Sequence, residues 1–350
     1  MPRCLMFKHG MTINPRGKVR PCCMFDNKDL DYTIEETAKW QAHFADLYER
    51  SLSDEWMPEC RDCMEEERDT GKSLRIHSLE DYDNAETQGL KYWDLKISNT
   101  CNLMCRMCSP NDSSTWYQAV KNNPVEWSQH ITDSMSDKLS WHDTYLPYVK
   151  EQLYDADVVK FTGGEPMLVK HVKQVIQHLI DTETSYGVSL RLTTNATVKY
   201  DEWWQSLTQY FKDVRISMSI DGFGKRFEYQ RAGAKWEDVK HNALVVRDQQ
   251  KHNNFFCNIS YTPTAINAAI TEQTRAWAES EDIFFHHGVE VYKPKYMSYA
   301  SLDEKLRTRY NVNSDTPFDP AQLQQLKTQM SYIDKIYGTD FKTECPEFFE

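Results

Sequence analysis

From Lys91 onward the chain alternates short apolar runs with stretches of helical spacing. Trp93, Leu95 and Ile97 fall on one face of a strand that ends at Ser98. Further strands are predicted at 156–161, 188–193, 214–220, 255–261 and 289–292, each rich in Val, Ile, Phe or Tyr and bounded by turn residues. Between them apolar side chains recur every three or four positions: Val169, Val172, Ile176, Leu179 and Ile180, then Trp236, Val239, Ala243 and Val246. Six β/α units follow, so the expected fold class is α/β, a parallel sheet or partial barrel. Residues 121–150, with Pro124, Trp127, Trp141 and Pro147, keep no period and read as an excursion after the first strand. Near the end, Asp319 as N-cap, Pro320 at the first helical position, apolar Leu323, Leu326, Met330, Ile333 and Tyr337, and Gly338 as a stop predict a packing helix, with 345–350 laid over it.

No run of apolar or aromatic residues exceeds four, so a spanning helix of roughly 20 residues is excluded and no secretory stretch opens the chain. The expectation is a cytoplasmic protein. With 41 basic and 53 acidic residues among 350, the net charge of −12 argues against nucleic acid as a partner. The basic residues Arg3, Lys8, Arg16, Lys18 and Arg20 all precede the first acidic one, Asp26, and read either as a solvated face or as a dock for an acidic partner. Ten cysteines without an export signal point to metal or redox chemistry rather than disulfides.

Those cysteines form two groups. Cys101, Cys105 and Cys108 lie within eight residues, directly after the first strand and so at the carboxyl end of the sheet, where barrel active sites lie. Three thiolates from one loop can hold three irons of a [4Fe-4S] cube and leave the fourth iron open to a ligand. Zinc is the alternative, but structural zinc takes four ligands, and the next downstream Cys or His is His130.

The segment CNLMCRMC resembles the CxxxCxxC motif of radical S-adenosylmethionine (SAM) enzymes, including Met107 before the last cysteine. The second strand runs into Thr162-Gly163-Gly164-Glu165-Pro166, similar to the GGEP motif that in this family binds the methionine amino group. Two glycines admit close backbone approach and Glu165 offers a carboxylate to an ammonium. The strand ends at Thr194-Asn195 and at Ser219 and Asp221 resemble family positions for the ribose hydroxyls and the methionine carboxylate, and Arg231 resembles the arginine that pairs with that carboxylate. The resemblance covers about residues 90 to 295. It implies a partial (β/α)6 barrel in which SAM chelates the open iron and is cleaved reductively to a 5′-deoxyadenosyl radical.

The early group comprises Cys4, Cys22, Cys23, Cys60 and Cys63. Gly17 suits a tight turn between short strands at 11–14 and 19–20, which would bring Cys4 and Cys22 together. Cys4, Gly17 with Cys22, and Cys60-x-x-Cys63 resemble the SPASM/twitch domains that accompany many radical SAM enzymes. That resemblance implies an auxiliary [4Fe-4S] cluster on Cys4, Cys22, Cys60 and Cys63, with Cys23 as the alternative to Cys22 that the motif spacing disfavours, although four thiolates suit zinc equally well. Glu65, Glu66 and Glu67, with Gly71, Ser73 and Arg75, resemble the family stretch after this CxxC, and a solvated helix face is the preferred reading of the glutamates. Cys257 is read as a buried structural thiol.

The expected domains are 1–88, a twitch-like cluster domain placed ahead of the barrel; 89–300, the radical SAM core; and 301–350, a helical extension. The function expected is hydrogen abstraction from a peptide or protein side chain, with a small molecule or nucleotide derivative as the alternative substrate. A non-catalytic iron-sulfur electron carrier is the rival of another class. A flavodoxin or ferredoxin would supply the electron.

Overall fold

The computed structural model describes residues 3–26, 32–53, 55–84, 86–135, 139–141 and 145–350. Among these the strands are β1 (Gly10–Ile13), β2 (Val19–Arg20), β3 (Tyr92–Leu95), β4 (Met104–Cys105), β5 (Val158–Phe161), β6 (Ser189–Thr194), β7 (Asp213–Ser219), β8 (Arg231–Ala232), β9 (Phe255–Tyr261) and β10 (Phe284–His287). Helices alternate with them, which makes the chain α/β as the periodicity predicts. The chain divides into two units: residues 1–98, 140–192 and 206–215 in one, residues 99–139, 193–205 and 216–350 in the other.

In the first unit the strand order is β6-β5-β3-β1-β2. β3, β5 and β6 run parallel, with Trp93 opposite Val159 and Val159 opposite Leu190. Side chains alternate across a strand, so Trp93, Leu95, Val159, Phe161, Leu190 and Leu192 share one buried face. The helix Lys170–Asp181 buries Val172, Ile176 and Leu179, which its spacing singles out, together with Val175, which it does not, while Ile180 is half-buried. β1 adds to β3 in parallel, Met11 opposite Trp93, and β2 returns against β1 as an antiparallel hairpin. Gly17 makes that hairpin's turn at φ +74, and a Cβ there would strike the Tyr145 ring.

In the second unit β7, β9 and β10 lie side by side. The predicted strand at 289–292 is displaced: β10 spans Phe284–His287 and pairs in parallel with β9. Gly288 N–H donates to Tyr261 O at 2.8 Å, after which Val291 N–H bonds Pro263 O outside the ladder. β10 is an edge strand with Phe284 largely exposed, so burial left no alternation to read there. The helix Pro320–Tyr337 is capped by the Asp319 carboxylate and stopped by Gly338 at φ +64, as predicted. Its Leu326, Met330 and Ile333 join Met104, Trp116, Trp127, Ile131, Tyr229 and Phe341 in one apolar core. Among the described residues no helix is long and apolar enough to cross a membrane.

Candidate active site and a second group of thiols

The loop carrying Cys101, Cys105 and Cys108 belongs to the second unit. Its shape is set by hydrogen bonds to the helix Ser114–Asn122: Thr115 Oγ1 donates to Cys101 O at 2.7 Å, Ser113 Oγ to Leu103 O at 2.6 Å, and Trp116 Nε1 to Cys105 O at 2.8 Å. Cys108 N–H closes a turn on Cys105 O at 2.9 Å. Cys105 is buried, while Cys101 and Cys108 are half-buried. Burial pushes the Cys105 thiol up to about 12, against the pull of the Arg231 guanidinium.

β4 and β8 pair antiparallel with Cys105 opposite Arg231, which puts the guanidinium beside the thiol: Nη1 lies 3.6 Å from Cys105 Sγ. Arg231 Nη2 reaches Asp221 Oδ2 at 2.5 Å, and Thr262 N–H donates to Asp221 Oδ1 at 2.8 Å. Burial pushes the Asp221 carboxyl up and Arg231 pulls it back. Arg231 Nε is buried without a hydrogen-bond partner. Asn195 Nδ2 donates to Asn102 Oδ1 at 3.0 Å and points at Cys101 Sγ from 3.8 Å, while Thr194 Oγ1 accepts from Ala196 N–H. Ser219 closes β7 half-buried, and Met107 Sδ accepts from Gln230 Nε2 at 3.5 Å.

Sequence reasoning missed Arg106. Its side chain is fully buried, bonds Asp334 Oδ1 at 2.8 Å and Thr339 Oγ1 at 2.9 Å, and stacks 3.7 Å over the Tyr229 ring. Asp334 sits on the C-terminal helix, so that helix clamps the triad loop. No local signal reveals the pair, whose members lie 228 positions apart.

The remaining motif belongs to the first unit. Gly163 has φ +114, and a Cβ there would meet Ser98 O at 2.8 Å; Gly164 N–H donates to that same carbonyl at 3.1 Å. Glu165 is fully buried and its Oε1 accepts from Met167 N–H, capping the short turn that Pro166 begins. The turn therefore lies against Ser98, just past the end of β3.

In the same unit Cys4, Cys22, Cys60 and Cys63 line one small cavity with Met6, Phe7 and Arg75. Burial raises all four thiols, Cys4 to about 11 and Cys63 to about 12, and the Cys22 thiol feels those of Cys23, Cys4, Cys63 and Cys60. Hydrogen bonds from the Met6 backbone to Cys4 and from the Arg75 backbone to Cys63 work the other way and favour thiolate. Cys23 faces elsewhere, against Asp94 and Lys160. Among the described residues no three Cys, His, Asp or Glu side chains converge as they would on one metal ion.

Glu67 corrects the solvated-face reading. It takes Arg75 Nε at 2.8 Å and Nη2 at 2.5 Å, and Ser73 Oγ at 2.5 Å, with the guanidinium 5% exposed. This bidentate pair fixes Arg75 beside the thiols. The five early basic residues are spread over different settings: Arg3 pairs with Asp83, Lys8 lies over Tyr48, and Arg20 donates to Phe25 O. Cys257 is buried on the face of β9 opposite Asn258, with its thiol raised by burial to about 12.

Residues 95–265 match the Radical SAM superfamily. The uncharacterized protein MJ0907 of Methanocaldococcus jannaschii is 24% identical over 135 residues, 38% of this chain and 40% of that one. Among solved structures, anSMEcpe with bound AdoMet overlays with TM-score 0.43 at 16% identity, over 70% of this chain and 61% of that one. SuiB of Streptococcus suis bound to S-adenosylmethionine overlays with TM-score 0.36 at 13% identity, over 89% and 64%. The chain thus spans about two fifths of the one relative and about three fifths of each structure. Residues 95–265, a little under half of the chain, are thus similar to radical SAM domains, and Cys101, Cys105 and Cys108 lie on one loop inside that stretch.

Proposed function

We propose that the chain is a radical SAM enzyme that abstracts hydrogen from a peptide or protein side chain, with Cys101, Cys105 and Cys108 as ligands of the SAM-binding cluster. The cluster and SAM together supply the chemistry, reductive cleavage to a 5′-deoxyadenosyl radical. The observation that carries this reading is the triad loop backed by the Arg231–Asp221 pair inside the matched domain. Arg231 has Nε to offer to a carboxylate, and Asp221, engaged by Arg231 and Thr262, orients that guanidinium. Glu165 with Gly163, Gly164 and Pro166 suits the methionine ammonium, and Thr194, Asn195 and Ser219 suit the ribose hydroxyls. Met107, next to the last cysteine of the triad, would also contact SAM in this reading. The thiols of Cys4, Cys22, Cys60 and Cys63 are proposed to hold an auxiliary [4Fe-4S] cluster in a twitch-like segment over residues 1–88, and a flavodoxin or ferredoxin to deliver the electron.

Electron paramagnetic resonance of the anaerobically reconstituted, dithionite-reduced protein tests the SAM site. Adding SAM should change the reduced-cluster signal, and Arg231→Gln should need at least about tenfold more SAM for the same change, the loss of a charge-assisted pair. A signal indifferent to SAM would contradict the reading.

A further inference from the structure

The sheet of the first unit has a second face, opposite its apolar one. At one level of the register Thr12, Asp94, Lys160 and Arg191 stand side by side on β1, β3, β5 and β6, and Arg20 on β2 stands opposite Thr12. Lys96 lies two residues beyond Asp94 on the same face. The row thus holds four cations and one carboxylate. Asp94 is fully buried, accepts from Thr162 Oγ1 at 2.6 Å, and forms an ion pair through Oδ2 with Lys160 Nζ at 3.4 Å. Thr12 Oγ1 is buried and unpartnered. The next acid on this face, Asp213, is engaged by Ser189 Oγ and Arg215 Nε, both at 2.7 Å. Lys160 and Lys96 hold the Asp94 carboxyl below the usual range in spite of its burial.

Position along the strands gives this row its meaning. Lys160 precedes Gly163 by three residues, Arg191 precedes Thr194 by three, and Lys96 precedes Cys101 by five. Ligands of parallel sheets bind at the carboxyl ends of the strands, and within the first unit Lys160 stands three residues before Gly163, which lies past the end of β5. The other flank is marked by Cys22 and Cys23, one thiol facing the four-cysteine cavity and its neighbour facing Asp94, Lys96 and Lys160.

We infer that the substrate is an acidic peptide segment, whose carboxylates are held by Arg20, Lys96, Lys160 and Arg191. This inference rests on the radical SAM reading and names the substrate class for it. In a chain of net charge −12 a local excess of cations around one carboxylate that is already ion-paired favours an added anion. The cations lie on β2, β5 and β6 and just past β3, with Thr12 on β1 between Arg20 and Asp94, so neighbouring charges stand one or two strand spacings of about 4.8 Å apart. That spacing matches single charges carried along a peptide, and Asp94 disfavours a compact polyphosphate.

The test is fluorescence anisotropy of fluorescein-labelled hexaglutamate with the cluster-loaded protein, with hexalysine as control. Hexaglutamate should bind with an affinity that falls as salt rises, hexalysine should not bind, and Arg191→Gln should weaken binding about tenfold or more while Arg191→Lys retains most of it. Lys160→Gln leaves Asp94 exposed to misfolding, so Arg191 carries the test and visible absorbance of the clusters checks the fold. Equal binding by Arg191→Gln, or displacement of the peptide by tripolyphosphate at lower concentration than by unlabelled hexaglutamate, would overturn the inference. The resonance response to SAM is read on the same samples, so failure of the SAM site and failure of the anion site are told apart.

Discussion

Arg106 occupies a variable position of the cysteine motif, yet it is the most completely buried charge in the triad loop. Its partner Asp334 is 8% exposed, so solvent screens the pair little. Removing one partner of a buried ion pair leaves the other uncompensated, at about 3 to 5 kcal/mol. Asp334→Ala should therefore lower the unfolding free energy by about that amount and shed iron from the triad first, measured by denaturant unfolding and by iron content. A loss under about 1 kcal/mol would show that the C-terminal helix does not hold the loop. Residues of this kind explain what the sequence hides. The grouping of Cys101, Cys105 and Cys108 and the turn at Gly163 stand out in the sequence because each is carried by one short stretch of residues. Arg106 with Asp334 does not, since their meeting depends on how the whole second unit packs. Glu67 and Arg75, only eight positions apart, were read separately because nothing local shows that a glutamate on a polar helix turns inward.

At the scale of elements, the hairpin β1–β2 brings Cys4 and Cys22 to one cavity, and its turn at Gly17 was visible in the sequence. The parallel docking of β1 on β3 was not, because a strand of four residues carries no mark of its partner some 80 positions away. Both thiol groups are held on such short elements and are raised by burial, Cys4 to about 11, Cys63 and Cys105 to about 12. Iron binds thiolate, so loading must release these protons. Cluster assembly should accordingly rise between pH 7 and 9, read as the growth of iron-sulfur absorbance at fixed iron and sulfide. The stability of the metal-free protein should run the other way. Thiols kept neutral in the fold stabilise it below the unfolded value near 9, and that contribution is lost as pH climbs toward the folded values. Loading independent of pH would mean the thiols are already ionised. Replacing Cys101, Cys105 and Cys108 together by Ala should leave about four irons on the early thiols. Zinc there instead would refute the auxiliary cluster.

For the whole chain, the alternation of strand and helix was readable from periodicity alone, while β10 lay outside the predicted span because an edge strand shows no buried alternation. The motifs fall at successive strand ends, and the cations of the first unit's polar face fall a few residues before them. The most direct test of this account is the formation of 5′-deoxyadenosine and methionine by the anaerobically reconstituted, reduced protein given SAM, with Cys105→Ala beside it. The account predicts both products from the unaltered chain and neither from the variant. No 5′-deoxyadenosine from a protein with its full iron complement and bound SAM, with or without an acidic peptide present, would contradict it and leave an iron-sulfur protein that does not cleave SAM.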